Sequence, residues 1–435
     1  MLDKLKKVHL IGAGGIGLSA VGKLLLQQGK QVSGSDVARS EIVEDLEAAG
    51  ATVQIGHDAA NLIDNTDLVI YSSAVPEDNP EREAAQKQGI KQMSYFQFLG
   101  ELSQQYTTIV VSGTHGKSTT TAMLGLILEA AGLDPTVVVG TKVPGWELGN
   151  LRVGKSEYLV VEGCEHMAHM LELNPEIVAL TNIEEEHLDY YRDLEHIREA
   201  FQSLVNKVPK SGFVVRNTDD PETMKLKIKV EDVTYSLKDK PVNLKLQVPG
   251  DFNVSNALAA MAVATKLGVE LSVIEKAIND FSGVWRRFER VGEFKGAQIV
   301  SDYAHHPTAI KKTIVAAKKF FPGQRLVVCF QPHQHARTRE LFDDFLDAFD
   351  DADELIMTEI YDVAGRADGV EDVSSRDLVY AIEDFDQSRG VSREVTYVED
   401  LAGAEQELRE RVQSNDIVIV MGAGDIDQVA RNLCK

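Results

Sequence analysis

The sequence predicts an α/β protein of three consecutive domains, each around a mainly parallel sheet. Three observations carry this. An apolar run, Val8-His9-Leu10-Ile11, stops at Gly12-Ala13-Gly14-Gly15-Ile16-Gly17 and is followed by an amphipathic helical stretch; this is the strand–turn–helix context of a G-x-G-x-x-G fingerprint. A second β-branched run, Ile109-Val110-Val111, stops at Ser112-Gly113-Thr114-His115-Gly116-Lys117-Ser118-Thr119, where free N–H groups at a helix start can meet an anion. Beyond about residue 284, four short apolar runs alternate with helical segments, the pattern of another doubly wound sheet. The expected domains are 1–104, 105–283 and 284–435.

In the first domain the glycine loop leads into a helix over 18–28. The next strand, 31–34, runs to Ser35-Asp36, about where an acid holds a ribose hydroxyl in a dinucleotide site. A strand at 67–71 ends at Ser72-Ser73-Ala74, and small hydroxyl residues there suit ligand binding at the open edge of a sheet. His57, after Gly56, reads as a solvated loop histidine. On these residues alone the glycines have two readings, an NAD site or a turn that only permits close helix packing. Residues 94–103 read as a connecting helix.

The second domain opens with the phosphate loop. It is not a regular Walker A, because Val111 stands where the first glycine of G-x-x-x-x-G-K-[ST] belongs. Lys117 offers a point charge to β/γ-phosphates, and Ser118 or Thr119 offers a hydroxyl to Mg²⁺. The strand over 157–161 ends in Glu162, with Glu165 close behind; a strand-end acid near a phosphate loop suits Mg²⁺. A strand at 177–180 runs into Thr181-Asn182-Ile183-Glu184-Glu185-Glu186-His187-Leu188-Asp189, where His187 reads either as a metal ligand or as part of an acidic helix cap. A strand follows at 213–216, and the alternation over 242–248 predicts an antiparallel edge strand. Asn256, on a helix over 254–267, is placed to read an adenine edge.

The third domain starts beside Trp285-Arg286-Arg287-Phe288-Glu289, paired arginines suited to phosphates. Its strands at 298–300, 326–330, 354–358 and 417–420 have chemically loaded ends. Asp302-Tyr303-Ala304-His305-His306-Pro307 closes the first, Gln331-Pro332-His333-Gln334-His335-Ala336-Arg337-Thr338 the second, and Gly422-Ala423-Gly424-Asp425 the last. Such strand-end loops are where open α/β sheets bind ligands.

Bulk properties narrow the class. No apolar run among the 435 residues approaches the roughly 18 of a membrane span. The net charge of −23 comes without a basic stripe, which argues against a nucleic-acid partner. Cys164, Cys329 and Cys434 are too widely spaced for a disulfide framework or a zinc site, so a reducing cytoplasm is expected. The basic residues before Val8 are not read as a signal peptide, because glycines interrupt the apolar stretch and no A-x-A site follows.

Taken together, Gly113-Thr114-His115-Gly116-Lys117-Ser118-Thr119, Thr181-Asn182-Ile183-Glu184 with His187-Leu188-Asp189, and Asn253 with Asn256-Ala257 resemble the ATP-dependent Mur ligases. Within that family the glycine loop, Ser33-Gly34-Ser35-Asp36, Tyr71-Ser72-Ser73-Ala74, Arg286-Arg287-Phe288-Glu289, the His305-His306-Pro307 loop and Phe330-Gln331-Pro332-His333 with Arg337-Thr338 are similar to the members that add L-alanine. The resemblance runs from Val8 to Ile426. It implies an N-terminal Rossmann-like UDP-sugar domain, a central P-loop-type ATPase and a C-terminal Rossmann-like amino-acid domain that closes over the substrates. The implied substrates are ATP, UDP-N-acetylmuramate and L-alanine, with Mg²⁺ as cofactor and a monomer or homodimer as assembly.

The implied reaction is amide formation through an acyl phosphate. The resemblance gives ATP binding to Gly113, Thr114, His115, Gly116, Lys117, Ser118, Thr119, Asn256 and Arg287, and the UDP-sugar to Gly12, Gly14, Gly15, Gly17, Asp36, His57, Ser72 and Ser73. Ser118, Glu162 and His187 are the implied metal ligands. Lys117, His187, Arg287 and His333 are implied in catalysis, with an arginine on a phosphoryl transition state contributing roughly 10³–10⁵ in rate. His305, His306, His333 and Arg337 line the amino-acid side. The sequence departs from the family pattern at Gly163-Cys164-Glu165-His166-Met167, Phe252 and Ser301-Asp302. His306-Pro307-Thr308-Ala309-Ile310 is nearer to the ligase that recycles murein tripeptide. A murein peptide ligase is therefore the alternative within the class, and an NAD-dependent oxidoreductase the alternative outside it.

Overall fold

The computed structural model describes residues 5–187, 190–362 and 373–435. Leu188 and Asp189 of the histidine segment lie outside the described residues. The described residues form three sheets. Two belong to one compact unit, Met1–Lys245 with Phe252–Phe281, and the third to another, Leu246–Asp251 with Ser282–Lys435.

The first sheet is wholly parallel, with strands β1 (Lys7–Ile11), β2 (Gln31–Asp36), β3 (Thr52–Ile55), β4 (Leu68–Tyr71) and β5 (Lys91–Ser94) in the order 3-2-1-4-5. The chain direction of the strand order reverses at β1, so the glycine loop leaves the sheet at its switch point, where ligands bind such sheets. The second sheet holds β6 (Thr107–Ser112), β7 (Thr136–Val138), β8 (Leu151–Arg152), β9 (Tyr158–Gly163), β10 (Ile177–Leu180), β11 (Phe213–Asn217) and β12 (Glu231–Tyr235). Their order is 12-11-10-6-9-7-8, and β8 alone runs antiparallel. The third has β13 (Glu289–Phe294), β14 (Ala297–Asp302), β15 (Leu326–Phe330), β16 (Glu354–Met357), β17 (Glu394–Tyr397) and β18 (Ile417–Met421) in the order 13-14-18-15-16-17, with β13 antiparallel.

Central strands are the legible ones. Ile109, Val110 and Val111 are completely buried, as are Val418, Ile419 and Val420, because helices cover both faces of a parallel sheet. Each such side chain contributes roughly 1.5–3 kcal/mol of burial. The strands absent from the sequence reading are mainly peripheral: Thr52–Ile55 buries one residue in four, and Glu231–Tyr235 one in five. With little to bury, they carry little apolar signal.

The edge strand expected over 242–248 does not form. Leu244 and Val248 are buried in alternation, but the backbone is tied by a side chain rather than a ladder. Lys245 N–H donates to Asn279 Oδ1 at 2.7 Å, and Asn279 Nδ2 donates to the Asn243 carbonyl at 3.1 Å. The segment passes from one compact unit to the other. The connecting helix does form, over Tyr95–Ser103, closed by a capping box between Ser94 and Gln97.

Candidate active site

In the first unit the phosphate loop follows β6, between its neighbours β9 and β10. Gly113 and Gly116 have φ of +142° and +85°, and a Cβ at Gly116 would sit 2.1 Å from Asn256 Oδ1. Only glycine allows that approach. Asn256 therefore packs on the loop at the start of the helix Lys117–Ala130, whose first turn has no side-chain cap. Uncapped N–H groups and the helix dipole favour an anion there.

The loop is braced from the end of β10. Thr114 N–H donates to the Asn182 carbonyl (3.0 Å) and His115 N–H to Asn182 Oδ1 (2.9 Å). Thr181 Oγ1 donates to the His115 carbonyl at 2.6 Å, and Glu184 N–H to Thr114 Oγ1 at 2.9 Å. The acidic segment is thus a bracket for the phosphate loop. The helix after it begins only at Leu194, capped by Asp193.

Two carboxylates face this loop and divide the work. Glu162 accepts from Ser118 Oγ at 3.0 Å and from Gly140 N–H. Glu165, 4% exposed, meets Lys117 Nζ at 2.7 Å and His187 Nε2 at 3.5 Å. Lys117 Nζ also donates to the carbonyls of Gly113 (2.7 Å) and Thr114 (2.9 Å). Burial pushes the Glu165 carboxyl up, but Lys117 and His187 more than offset it and hold it below its ordinary value. The Glu165 hydrogen bond in turn raises His187. His187, grouped by sequence with Glu162, is in contact with Glu165. His166 lies beside it, ring centroids 4.5 Å apart.

A hydroxyl beside a carboxylate at the foot of a phosphate loop fits Mg²⁺, which takes one or two carboxylates and keeps several waters. Among the described residues no group of three or more His, Cys, Asp or Glu forms a denser metal cluster.

At the first sheet, Gly12, with φ +83°, turns the chain beside Ser72, which a Cβ would approach to 2.9 Å. Gly14 N–H donates to Asp36 Oδ2 at 2.7 Å, so Asp36 fastens the glycine loop. A Cβ at Gly17 would sit 2.6 Å from Tyr95 Oη, whereas at Gly15 its nearest neighbour is the Gly12 carbonyl at 3.3 Å. Ser72 Oγ accepts from Ala74 N–H, in the turn that holds Ser73. His57 is not a solvated loop histidine: its Nδ1 lies 3.0 Å from Ser35 Oγ and 3.1 Å from Glu81 Oε1. Glu81 and His9 are both fully buried. The sequence reading missed them, since neither lies in a motif.

In the second unit the two arginines lie against the same ring. Arg286 is committed to the last loop: its Nη2 donates to the carbonyls of Gly422 (2.5 Å) and Gly424 (2.8 Å). Both guanidiniums lie over Tyr303, Arg286 at 5.1 Å and Arg287 at 4.9 Å from the ring centroid. Asp302 is buried and accepts from the N–H groups of Phe288 and Ala304. His306 caps the helix Pro307–Phe320.

His305 Nδ1 lies 3.0 Å from the Tyr303 carbonyl. A carbonyl only accepts, so Nδ1 carries the proton and Nε2 the lone pair. Burial pushes this imidazole down to about 3. His333 is the opposite tautomer. Its Nδ1 accepts from Arg337 Nη1 at 2.9 Å, so Nε2 carries the proton. The two rings lie 5.7 Å apart. His335, in the same strand-end loop, pairs with Asp362 at 2.7 Å.

Among the described residues ten non-glycine residues have positive φ, and Met167, Ala168, His187, Arg286, Phe288 and Gln334 are six of them. Such backbone costs about 1–3 kcal/mol each and gathers at functional sites. Here it lies next to or on the residues just described.

Residues 7–107 match the Mur ligase family catalytic domain, 111–243 the Mur ligase middle domain, and 286–424 the Mur ligase glutamate ligase domain. The whole chain is 38% identical to the UDP-N-acetylmuramate–L-alanine ligase of Caldanaerobacter subterraneus subsp. tengcongensis, covering 98% of that protein. The chain belongs to the Mur ligase family. As a Mur ligase it is also 39% identical, over its full length and 98% of the relative, to the alanine ligase of Geobacter sp. strain M21. The MurC structure from Thermotoga maritima superposes with a TM-score of 0.84 at 30% identity, over 98% of both chains. The murein peptide ligase of Psychrobacter arcticus shares the fold, with a TM-score of 0.69 at 23% identity over 98% of both chains.

Proposed function

We propose that this Mur ligase joins L-alanine to the lactyl carboxylate of UDP-N-acetylmuramate, driven by ATP, as a step of peptidoglycan precursor synthesis in the cytoplasm. The observation that carries the reading is full-length similarity, at 38% identity, to an enzyme of that name. The murein peptide ligase alternative rests on a likeness of fold at 23% identity. Family membership also favours a UDP-sugar diphosphate over NAD at Gly12, Gly14, Gly15 and Gly17.

In the proposed chemistry a carboxylate oxygen attacks the γ-phosphorus, ADP leaves, and an acyl phosphate forms. The alanine amine then attacks the acyl carbon, phosphate leaves, and one amine proton is released. Two anions must meet, so positive charge and aligned N–H groups have to neutralise both. Lys117 and the loop N–H groups of residues 113–119 take the β- and γ-phosphates, and Asn256 holds the nucleotide end. Ser118 and Glu162 would hold Mg²⁺, which supplies charge neutralisation at the phosphates. Glu165 orients Lys117 and His187 for the same region.

Asp36, His57, Ser72 and Ser73 take the UDP-sugar. Arg287 supplies further positive charge. On the amino-acid side, Arg337 and the His333 Nε2–H suit a carboxylate, and His305 Nε2 is the acceptor suited to an amine N–H. His306, as a helix cap, has the most peripheral part. The test is phosphate release with ATP and UDP-N-acetylmuramate across L-alanine, glycine, L-serine and a murein tripeptide. L-alanine should give the fastest turnover; turnover with the tripeptide alone would overturn the proposal.

A further inference from the structure

The most heavily partnered buried carboxylate of the first sheet has no part in the chemistry above. Glu81, at the start of the helix Pro80–Lys87, has no exposed surface. Its Oε2 meets His9 Nε2 at 2.6 Å and Ser35 Oγ at 2.8 Å; its Oε1 meets His57 Nδ1 at 3.1 Å and Asn61 Nδ2 at 3.2 Å. His9 is fixed from the other side by Ser33 Oγ at 2.8 Å. An isolated buried carboxylate is costly, and a packed apolar residue would serve stability as well. The cluster instead reaches the ligand-binding edge. The Ser35 carbonyl accepts the N–H groups of Gly12 and Ala13, both at 2.9 Å, so the residue that bonds Glu81 also holds the glycine loop.

The hydrogen-bond directions decide what His57 presents. Burial pushes the Glu81 carboxyl up, and the bonds from His9, Ser35 and Asn61 more than offset it, so it is ionised. An ionised carboxylate only accepts. Ser35 Oγ spends its proton on Glu81, so toward His57 it too offers a lone pair. Nδ1 of His57 therefore carries a proton, and in the neutral form of the ring that leaves Nε2 as the acceptor.

We infer that Glu81 is a positioning residue of the UDP-sugar site, locking His57 in the Nδ1–H tautomer so that Nε2 accepts from an N–H or O–H donor of the uridine. The inference rests on the proposed placement of the UDP-sugar at this edge. His9, Ser33 and Asn61 hold Glu81 in turn, as outer partners hold the tautomer of a ligating histidine elsewhere.

The experiment is steady-state kinetics on the full chain. Glu81→Gln should raise KM for UDP-N-acetylmuramate about tenfold, the upper end for one neutral hydrogen bond. kcat at saturation and KM for ATP and L-alanine should stay within about twofold. In a His57→Ala background the same change should add less than about twofold, because coupled residues are not additive. Ser35→Ala, a smaller change, should act in the same direction and guards against misfolding of the glutamine variant. Equal effects of Glu81→Gln with and without His57 would overturn the inference. So would unchanged KM in His57→Ala when Asp36→Ala still raises it. Unchanged KM in both His57→Ala and Asp36→Ala would overturn the placement of the UDP-sugar itself. The N3-methyluracil and 2′- or 3′-deoxy analogues identify the donor: the one that closes the gap between wild type and Glu81→Gln has lost it. A gap that survives all three analogues refutes the acceptor role.

Discussion

Gly116→Ala separates backbone strain from loss of the nucleotide site, because the structure supplies matched controls. At Gly116, φ is +85°, and the new Cβ would lie 2.1 Å from Asn256 Oδ1 and 2.9 Å from its Cγ. At Gly29, φ is +76° and nothing lies within 4 Å. Both variants pay the left-handed backbone cost of roughly 1–2 kcal/mol, worth roughly 2–4 °C of Tm per kcal/mol in a unit of this size. Only Gly116→Ala must also push the Asn256 amide off the loop. That side chain can swing, so the extra penalty falls on ATP rather than on folding. KM for ATP should rise at least about tenfold, the equivalent of one lost hydrogen-bonding group near 1.4 kcal/mol. Gly113→Ala is the severe case. Its φ is +142°, and the Cβ would meet Thr181 Oγ1 at 2.0 Å and the Asn182 backbone at 3.0–3.1 Å. Backbone cannot swing away, so this variant should lose both several degrees of Tm and nearly all turnover. Thermal melts and ATP-dependent phosphate release on the three variants check this. If Gly116→Ala and Gly29→Ala have the same KM for ATP, the argument that Asn256 and Gly116 form one nucleotide-facing contact fails.

Other expectations follow from the same geometry. Lys117→Met leaves the Glu165 carboxylate buried beside one weak partner; it should abolish turnover and lower Tm, and adding Glu165→Gln should restore Tm but not turnover, as a double-mutant melt would record. Arg286→Ala should lower Tm by removing the bonds to Gly422 and Gly424, whereas Arg287→Ala should leave Tm nearly unchanged and lower kcat by roughly 10³. The pH dependence of stability has a definite sign at His305. Its folded value of about 3 lies below the unfolded value of about 6.5, so the unfolded chain binds the extra proton and stability falls as pH drops through 6.5 toward 3. Urea unfolding at pH 7.5 and 5.5 should differ by roughly 1 kcal/mol more in wild type than in His305→Asn.

The sequence by itself determined the three α/β sheets, the two glycine-bearing turns and the strand ends that carry chemistry, because buried parallel strands are written as continuous apolar runs and tight turns as glycines. It also placed Lys117, Ser118, Asn256 and His333 in motifs whose local spacing is informative. Pairings between distant segments were settled only by tertiary structure. Spacing could not say that His187 turns to Glu165, that Arg286 is held by two carbonyls and shares the Tyr303 ring with Arg287, or that the tautomers of His305 and His333 are opposite. Nor could it find Glu81, which is 72 residues from His9 and 24 from His57. A buried polar contact is fixed by the register of neighbouring strands and the entry of a helix, and these depend on the whole sheet rather than on any local run of residues.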